Sequence, residues 1–148
     1  MKNALVALFM LASASSALAE EGMKTFESHH GFLETQARLE AAVKEKGMTI
    51  FAKIDHAEGA RQAGLEMRPE EVTIFGNPKG GTPFMVKKPL AAIDFPLKAL
   101  VWEDDSGKVF LSYNTLAWIV ARHDIKGEDE LARKLDELLS GIARSATN

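Results

Sequence analysis

Two short stretches hold the side chains of this 148-residue chain whose types and spacing could do chemistry. The first is Asp55-His56, with Glu58 and Arg61 just beyond. A carboxylate beside an imidazole can move a proton or hold a metal ion. The same pair also reads as turn chemistry, the aspartate accepting loop N–H groups and the histidine capping the turn. The second is Phe75-Gly76-Asn77-Pro78-Lys79-Gly80-Gly81-Thr82-Pro83. Lys79 precedes its glycine pair and no hydroxyl follows it, and Pro78 removes an N–H donor, so this is not a phosphate-cradling P-loop. Thr82 is expected as a helix N-cap and Pro83 as the first helical residue. A helix start beside Lys79 can hold an anion; the plainer reading is a turn followed by a helix. Tyr113, the sole tyrosine, ends a predicted strand with its hydroxyl in reach of these loops.

Other chemistries find no support. His29, His30, His56 and His123 show neither H-x-x-x-H nor H-E-x-x-H spacing, and no metal site is expected. There is no cysteine, no G-x-S-x-G and no dinucleotide fingerprint, so thiol chemistry, the serine elbow and a nucleotide cofactor are not indicated. With 18 basic and 21 acidic side chains, the formal charge of −3 offers no footprint for nucleic acid.

The elements that must position these residues follow from periodicity. Apolar residues Phe32, Leu39, Ala42 and Val43 predict a helix over 32–46 that Gly47 ends. Residues 25–29 form a short strand. Residues 48–55 alternate as a strand with Ile50, Ala52 and Ile54 on one face. Residues 56–65 make a loop with a short helical turn, and 71–75 a strand. Residues 83–93 make a short helix that Pro89 breaks. Strands 97–103 and 108–113 flank the turn Asp104-Asp105-Ser106-Gly107, where turn chemistry accounts for both aspartates. Trp102 reads as core, and Trp118 as surface or interface. A helix over 116–123 and a last helix over 128–144, with Leu131, Leu135, Leu138 and Ile142 as its stripe, complete the chain. The order β-α-β-β-α-β-β-α-α implies an α+β domain, with helices packed on a mainly antiparallel sheet.

Residues 1–19 read differently. Lys2, an apolar run over 4–11 and the small residues closing at Ala17-Leu18-Ala19 are the order of a secretory signal peptide. Cleavage after Ala19 would leave a single domain, residues 20–148, in the periplasm or secreted. Without Lys2 that domain is one charge more acidic, and it carries no second long apolar segment, so no stable membrane association is expected.

Several motifs then align in order: Phe51-x-x-Ile54-Asp55-His56, Gly59-Ala60, Arg68-Pro69, Phe75-Gly76-Asn77-Pro78, Gly80 or Gly81 with Thr82-Pro83, Phe95-Pro96-Leu97-Lys98, Val101-Trp102-Glu103-Asp104 and Ser112-Tyr113-Asn114. Over about residues 26–125 the chain resembles the family named domain of unknown function 302. Phe95 stands where the family pattern has leucine. The resemblance implies a compact α+β domain, common in exported bacterial proteins, without a settled reaction, and a homodimer. It also gathers Asp55, His56, Asn77, Lys79, Thr82 and Tyr113 as one surface, assigning no role to any. Three functions are open: a small-ligand binding protein taking an anion between His56, Lys79 and the helix start; an enzyme using Asp55-His56 as acid and base; and a structural or partner-binding module. The first requires that strands 48–55 and 71–75 run the same way, because antiparallel strands send the two loops to opposite ends of the sheet.

Overall fold

The structure is a computed structural model and describes residues 21–148; the expected signal segment, residues 1–19, lies outside the described residues. Five strands form one sheet: β1 (Met23–Glu27), β2 (Thr49–Asp55), β3 (Glu70–Gly76), β4 (Leu97–Glu103) and β5 (Val109–Asn114). Their order is β1-β5-β4-β3-β2, and every neighbouring pair is antiparallel. The helices are α1 (Phe32–Glu45), α2 (His56–Gln62), α3 (Pro78–Lys87), a 3-10 helix (Pro89–Asp94), α4 (Leu116–Arg122) and α5 (Asp129–Thr147). The α+β class expected from the sequence is the class observed.

Both edges of the sheet are adjacent in the sequence. β1 and β2 lie at opposite edges, so α1 must cross the sheet to join them. It does so against α5, and Leu39 and Val43 from α1 share one buried cluster with Leu139 and Ile142 from α5. Alternation along the central strands supplies the floor: Leu97, Ala99 and Val101 from β4, and Val109, Leu111 and Tyr113 from β5, are all buried. The α5 stripe is rotated from its expected position. Leu139, Ile142 and Ala143 are buried, whereas Leu131, Leu135 and Leu138 are only partly covered.

On the opposite face of the sheet Trp102 stacks on Phe110, with ring centroids 4.8 Å apart. Trp102 Nε1 donates to Ser112 Oγ at 3.0 Å, and Ser112 Oγ also pairs with Thr25 Oγ1 at 2.8 Å. Trp102 is therefore half-buried on this second face instead of sitting in the core beneath the helices. The β4–β5 hairpin forms as expected. Gly107 takes φ 83°, and Asp104 accepts from the Ser106 and Lys108 amides at 2.9 Å.

β2 departs from simple alternation. Ile50 opposes Phe75, yet Ala52 opposes Ile74, so a bulge lies between them. Residues directly opposed in an antiparallel pair share a face. Ile50 therefore faces the helices with Phe75, while Ala52 and Ile54 join Ile74 and Val72 on the other face. The inserted residue, Phe51, is thrown out of the ladder and left 55% exposed.

Candidate functional site

The expected meeting of the two loops does not occur. Asp55 pairs with Glu71 and Thr49 with Gly76, so β2 ends where β3 begins. Six strand steps separate the two ends, about 20 Å. Asp55 and His56 sit at one end of the sheet; Asn77, Lys79 and Thr82 sit at the other. His56 and Lys79 therefore share no pocket.

At the first end, Asp55 is the N-cap of α2, its Oδ1 accepting from the Glu58 amide at 2.9 Å. Glu58 in turn accepts three hydrogen bonds from Arg61, of 2.9, 2.7 and 2.6 Å, and the Arg61 guanidinium keeps the Glu58 carboxyl below its usual range. His56 is the exposed first residue of that helix. The segment expected as a loop is thus a capped helix, and Asp55 and His56 stand at its start as helix-end residues.

At the second end, α3 starts five residues earlier than the sequence suggested. Asn77 is the cap, its Oδ1 accepting from the Lys79 amide at 2.9 Å, and Pro78 takes the first helical position. Thr82 and Pro83 lie inside the helix, where Pro83 has no N–H to give the Lys79 carbonyl. The remaining amides of the first turn are also engaged: Gly80 and Gly81 donate to the Asn77 carbonyl at 2.9 and 3.1 Å. Pro78 has none to give. The helix start therefore presents no free amide to an anion among the described residues, and Lys79 is an exposed side chain.

What this end of the sheet does hold is an apolar pocket of about 340 Å³. Met48 and the expelled Phe51 wall it from the β2 side, Leu135 from α5, and Met85 from α3. Phe95, Pro96 and Leu97 close it where the 3-10 helix enters β4. Asn77 and Thr82 are its polar side chains. The glycine pair makes the wall thin. A Cβ on Gly81 would lie 3.3 Å from Phe95 Cδ1, and one on Gly80 3.6 Å from Leu135. Phe95, seated against Gly81, also stacks on the buried Phe84 at 5.7 Å between centroids. Phe95 and Leu135 could not be assigned to one site from local pattern, since they come from elements 40 residues apart.

Tyr113 is in neither place. It is buried among the helices, 4% exposed, opposite Ala99 and Lys24. Its hydroxyl faces α5 without a hydrogen-bonding partner among the described residues; Ser140 is close enough to act on the phenol but falls short of bonding geometry. Burial pushes the phenol above its ordinary value.

One acid–imidazole contact escaped the sequence. His123, at the end of α4, places Nε2 2.5 Å from Asp94 Oδ2, and Arg122 Nη1 lies 3.2 Å from Asp94 Oδ1. Both side chains of the His123–Asp94 pair are nearly buried. Asp94 adjoins Phe95, so the pair anchors one wall of the pocket to α4. Among the described residues, no three His, Asp or Glu side chains gather as a metal site.

The family model described as "Domain of unknown function DUF302" matches residues 24–142. The chain belongs to this family. A crystal structure of an uncharacterised conserved DUF302 protein from Bacillus stearothermophilus superposes with a TM-score of 0.78, covering 86% of this chain and 99% of that one, at 19% identity. At that identity the likeness speaks for the DUF302 fold alone. Among curated proteins, the chain is 42% identical over 119 residues to "Fluoride-specific ion channel FluC 1" of Brucella suis and, equally, to the FluC 1 protein of Brucella abortus. The match takes in 80% of this DUF302 chain but only 47% and 44% of those relatives. The chain thus spans less than half the length of the curated relatives it matches.

Proposed function

We propose that this is an exported small-ligand binding domain, acting in the periplasm or outside the cell, and that its ligand enters the pocket between α3, the bulge of β2 and Leu135. The observation that carries this is the pocket itself. Its volume falls at the low end of small-molecule sites, and a mostly apolar wall with a few polar groups is how such sites are built. The ligand class differs from the anion suggested by Lys79. Every first-turn amide of α3 is already bonded, and neither His56 nor Lys79 lines the pocket. A compact ligand with an apolar body and one polar group for Thr82 or Asn77 suits the walls.

The test is a thermal-shift and NMR titration screen of small apolar alcohols, amides and ketones against inorganic anions. A ligand that prefers the native state raises the melting temperature. Ala92, an exposed lining residue, offers the control: Ala92→Trp should fill the pocket and abolish the shift. Shifts produced only by anions, or shifts indifferent to Ala92→Trp, would reject the pocket. Export is checked separately, by the mass of the protein recovered from the periplasm; a mass that retains residues 1–19 rejects it.

A second reading is favoured by the relatives. Among the described residues no helix is long and apolar enough to cross a membrane, whereas the proteins matched at 42% identity are named as ion channels and are more than twice as long as the match. On this reading the domain is an accessory module working beside a membrane channel. Fluoride release from vesicles holding the Brucella suis protein, with and without its matched half, tests it. Identical flux in both would end the idea.

A further inference from the structure

The corner formed by α3 and the 3-10 helix is built unlike the rest of the surface. Val86, Leu90 and Ile93 are 74%, 82% and 72% exposed. At such exposure each side chain stands clear of its neighbours. In a 3-10 helix residues i and i+3 eclipse, so Leu90 and Ile93 rise one above the other while Ala91 turns inward and is fully buried. Residues 78–93 contain Lys79, Lys87 and Lys88 and no acidic residue, in a chain whose overall charge is negative. The nearest acids are engaged: Asp94 by His123 and Arg122, and Asp124 by Lys126 at 2.5 Å. Exposed aliphatic side chains therefore occupy one corner of an acidic domain beside Lys79, Lys87 and Lys88, which make no ion pair among the described residues, although Lys88 is near enough to Asp124 to help hold its carboxyl low.

We infer that this corner is a surface for reversible contact with an anionic lipid bilayer, Val86, Leu90 and Ile93 entering between the headgroups while Lys87 and Lys88 meet their phosphates. Two considerations select this occupant. A two-fold contact with a second copy would set these lysines against their own mates. Protein interfaces also seat their anchors flush in packed pockets, whereas side chains that protrude singly suit a headgroup layer that parts around them. Charge complementarity and apolar insertion act together in such binding. Three aliphatic side chains and two or three lysines make a weak attachment, so the domain would come and go, in keeping with a chain that carries no second long apolar segment. The corner lies beside the pocket, since Met85 and Ala92 line it. The inference is nonetheless independent of the pocket's ligand.

The test is co-sedimentation of residues 20–148, which contain every described element, with vesicles of phosphatidylcholine alone and of phosphatidylcholine mixed with phosphatidylglycerol. Binding is expected only to the mixed vesicles and should fall as salt is raised. Lys87→Gln with Lys88→Gln should weaken it about twenty-five-fold, taking roughly fivefold per lysine near an anionic surface. Leu90→Ser with Ile93→Ser should weaken it by a similar factor without altering the circular dichroism, because both sites are exposed. The sedimentation is run without any pocket ligand, so failure of the pocket screen leaves this result standing. Equal binding to both vesicle types, binding untouched by either double variant, or salt-insensitive binding overturns the inference. So does a wild type that binds no vesicle but self-associates through Leu90 and Ile93.

Discussion

His123 Nε2 lies 2.5 Å from Asp94 Oδ2, joining the end of α4 to the last residue of the 3-10 helix across 29 residues of sequence. Both side chains are close to nine-tenths buried, so removing either leaves a polar group with little access to water. Arg122 shares the carboxylate and would partly compensate for loss of the histidine. We therefore expect Asp94→Ala to cost about 1–3 kcal/mol and His123→Ala less, with a coupling on the order of 1 kcal/mol in the double mutant. Urea unfolding of the four proteins measures this. Additive single effects would mean that the contact carries no energy of its own.

The two adjacent glycines of α3 should behave in opposite ways. Both are helical and neither has a positive φ. Alanine at Gly80 meets Leu135 at an ordinary 3.6 Å, so the gain in helix propensity, about 1 kcal/mol at most, should dominate. Alanine at Gly81 meets Phe95 Cδ1 at 3.3 Å, and Phe95 has little room to retreat because it is stacked on Phe84. Gly80→Ala should raise the melting temperature or leave it unchanged, and Gly81→Ala should lower it. Thermal melts decide the matter; the reverse order would show that the Phe95 wall is loose.

How much of this was legible in the sequence depended on the distance over which each signal acts. The α1 period, the Asp104–Gly107 turn and the strand pair around it are local patterns, and they appear where expected. The start of α3 was misread although its signal was also local. Asn77-Pro78 and Thr82-Pro83 are both good cap-and-first-turn pairs, and the glycines argued against helix between them. In the fold both glycines lie within the helix, Gly80 against Leu135 and Gly81 against Phe95, and those neighbours are tertiary information. The bulge at Phe51 is similar: alternation put Ile50, Ala52 and Ile54 on one face, and only the pairing with β3 shows that they divide. The candidate site was half visible. Asn77 and Thr82 do line the pocket, whereas the relation between His56 and Lys79 depended on strand direction, which no residue near either of them reports.

Tyr113 supplies the last prediction, because its hydroxyl is buried and unpartnered. An unsatisfied polar group in the core costs stability, and phenylalanine has nearly the same shape without it. Tyr113→Phe should therefore leave the melting temperature unchanged or raise it at neutral pH. The alkaline limb gives a second readout. Burial holds the folded phenol above its ordinary value of 10.0, so above that pH the unfolded chain loses its proton while the folded chain keeps it. The unfolded state then binds fewer protons than the native state, and stability must fall as pH rises through the window between the ordinary and the raised values. Tyr113→Phe removes this contribution, so its stability should decline less steeply with pH there than that of the wild type. Urea unfolding across that window compares the two slopes. A lower melting temperature for Tyr113→Phe, or parallel alkaline limbs, would mean that the hydroxyl has a partner in solution, with Ser140 of α5 the residue to test next.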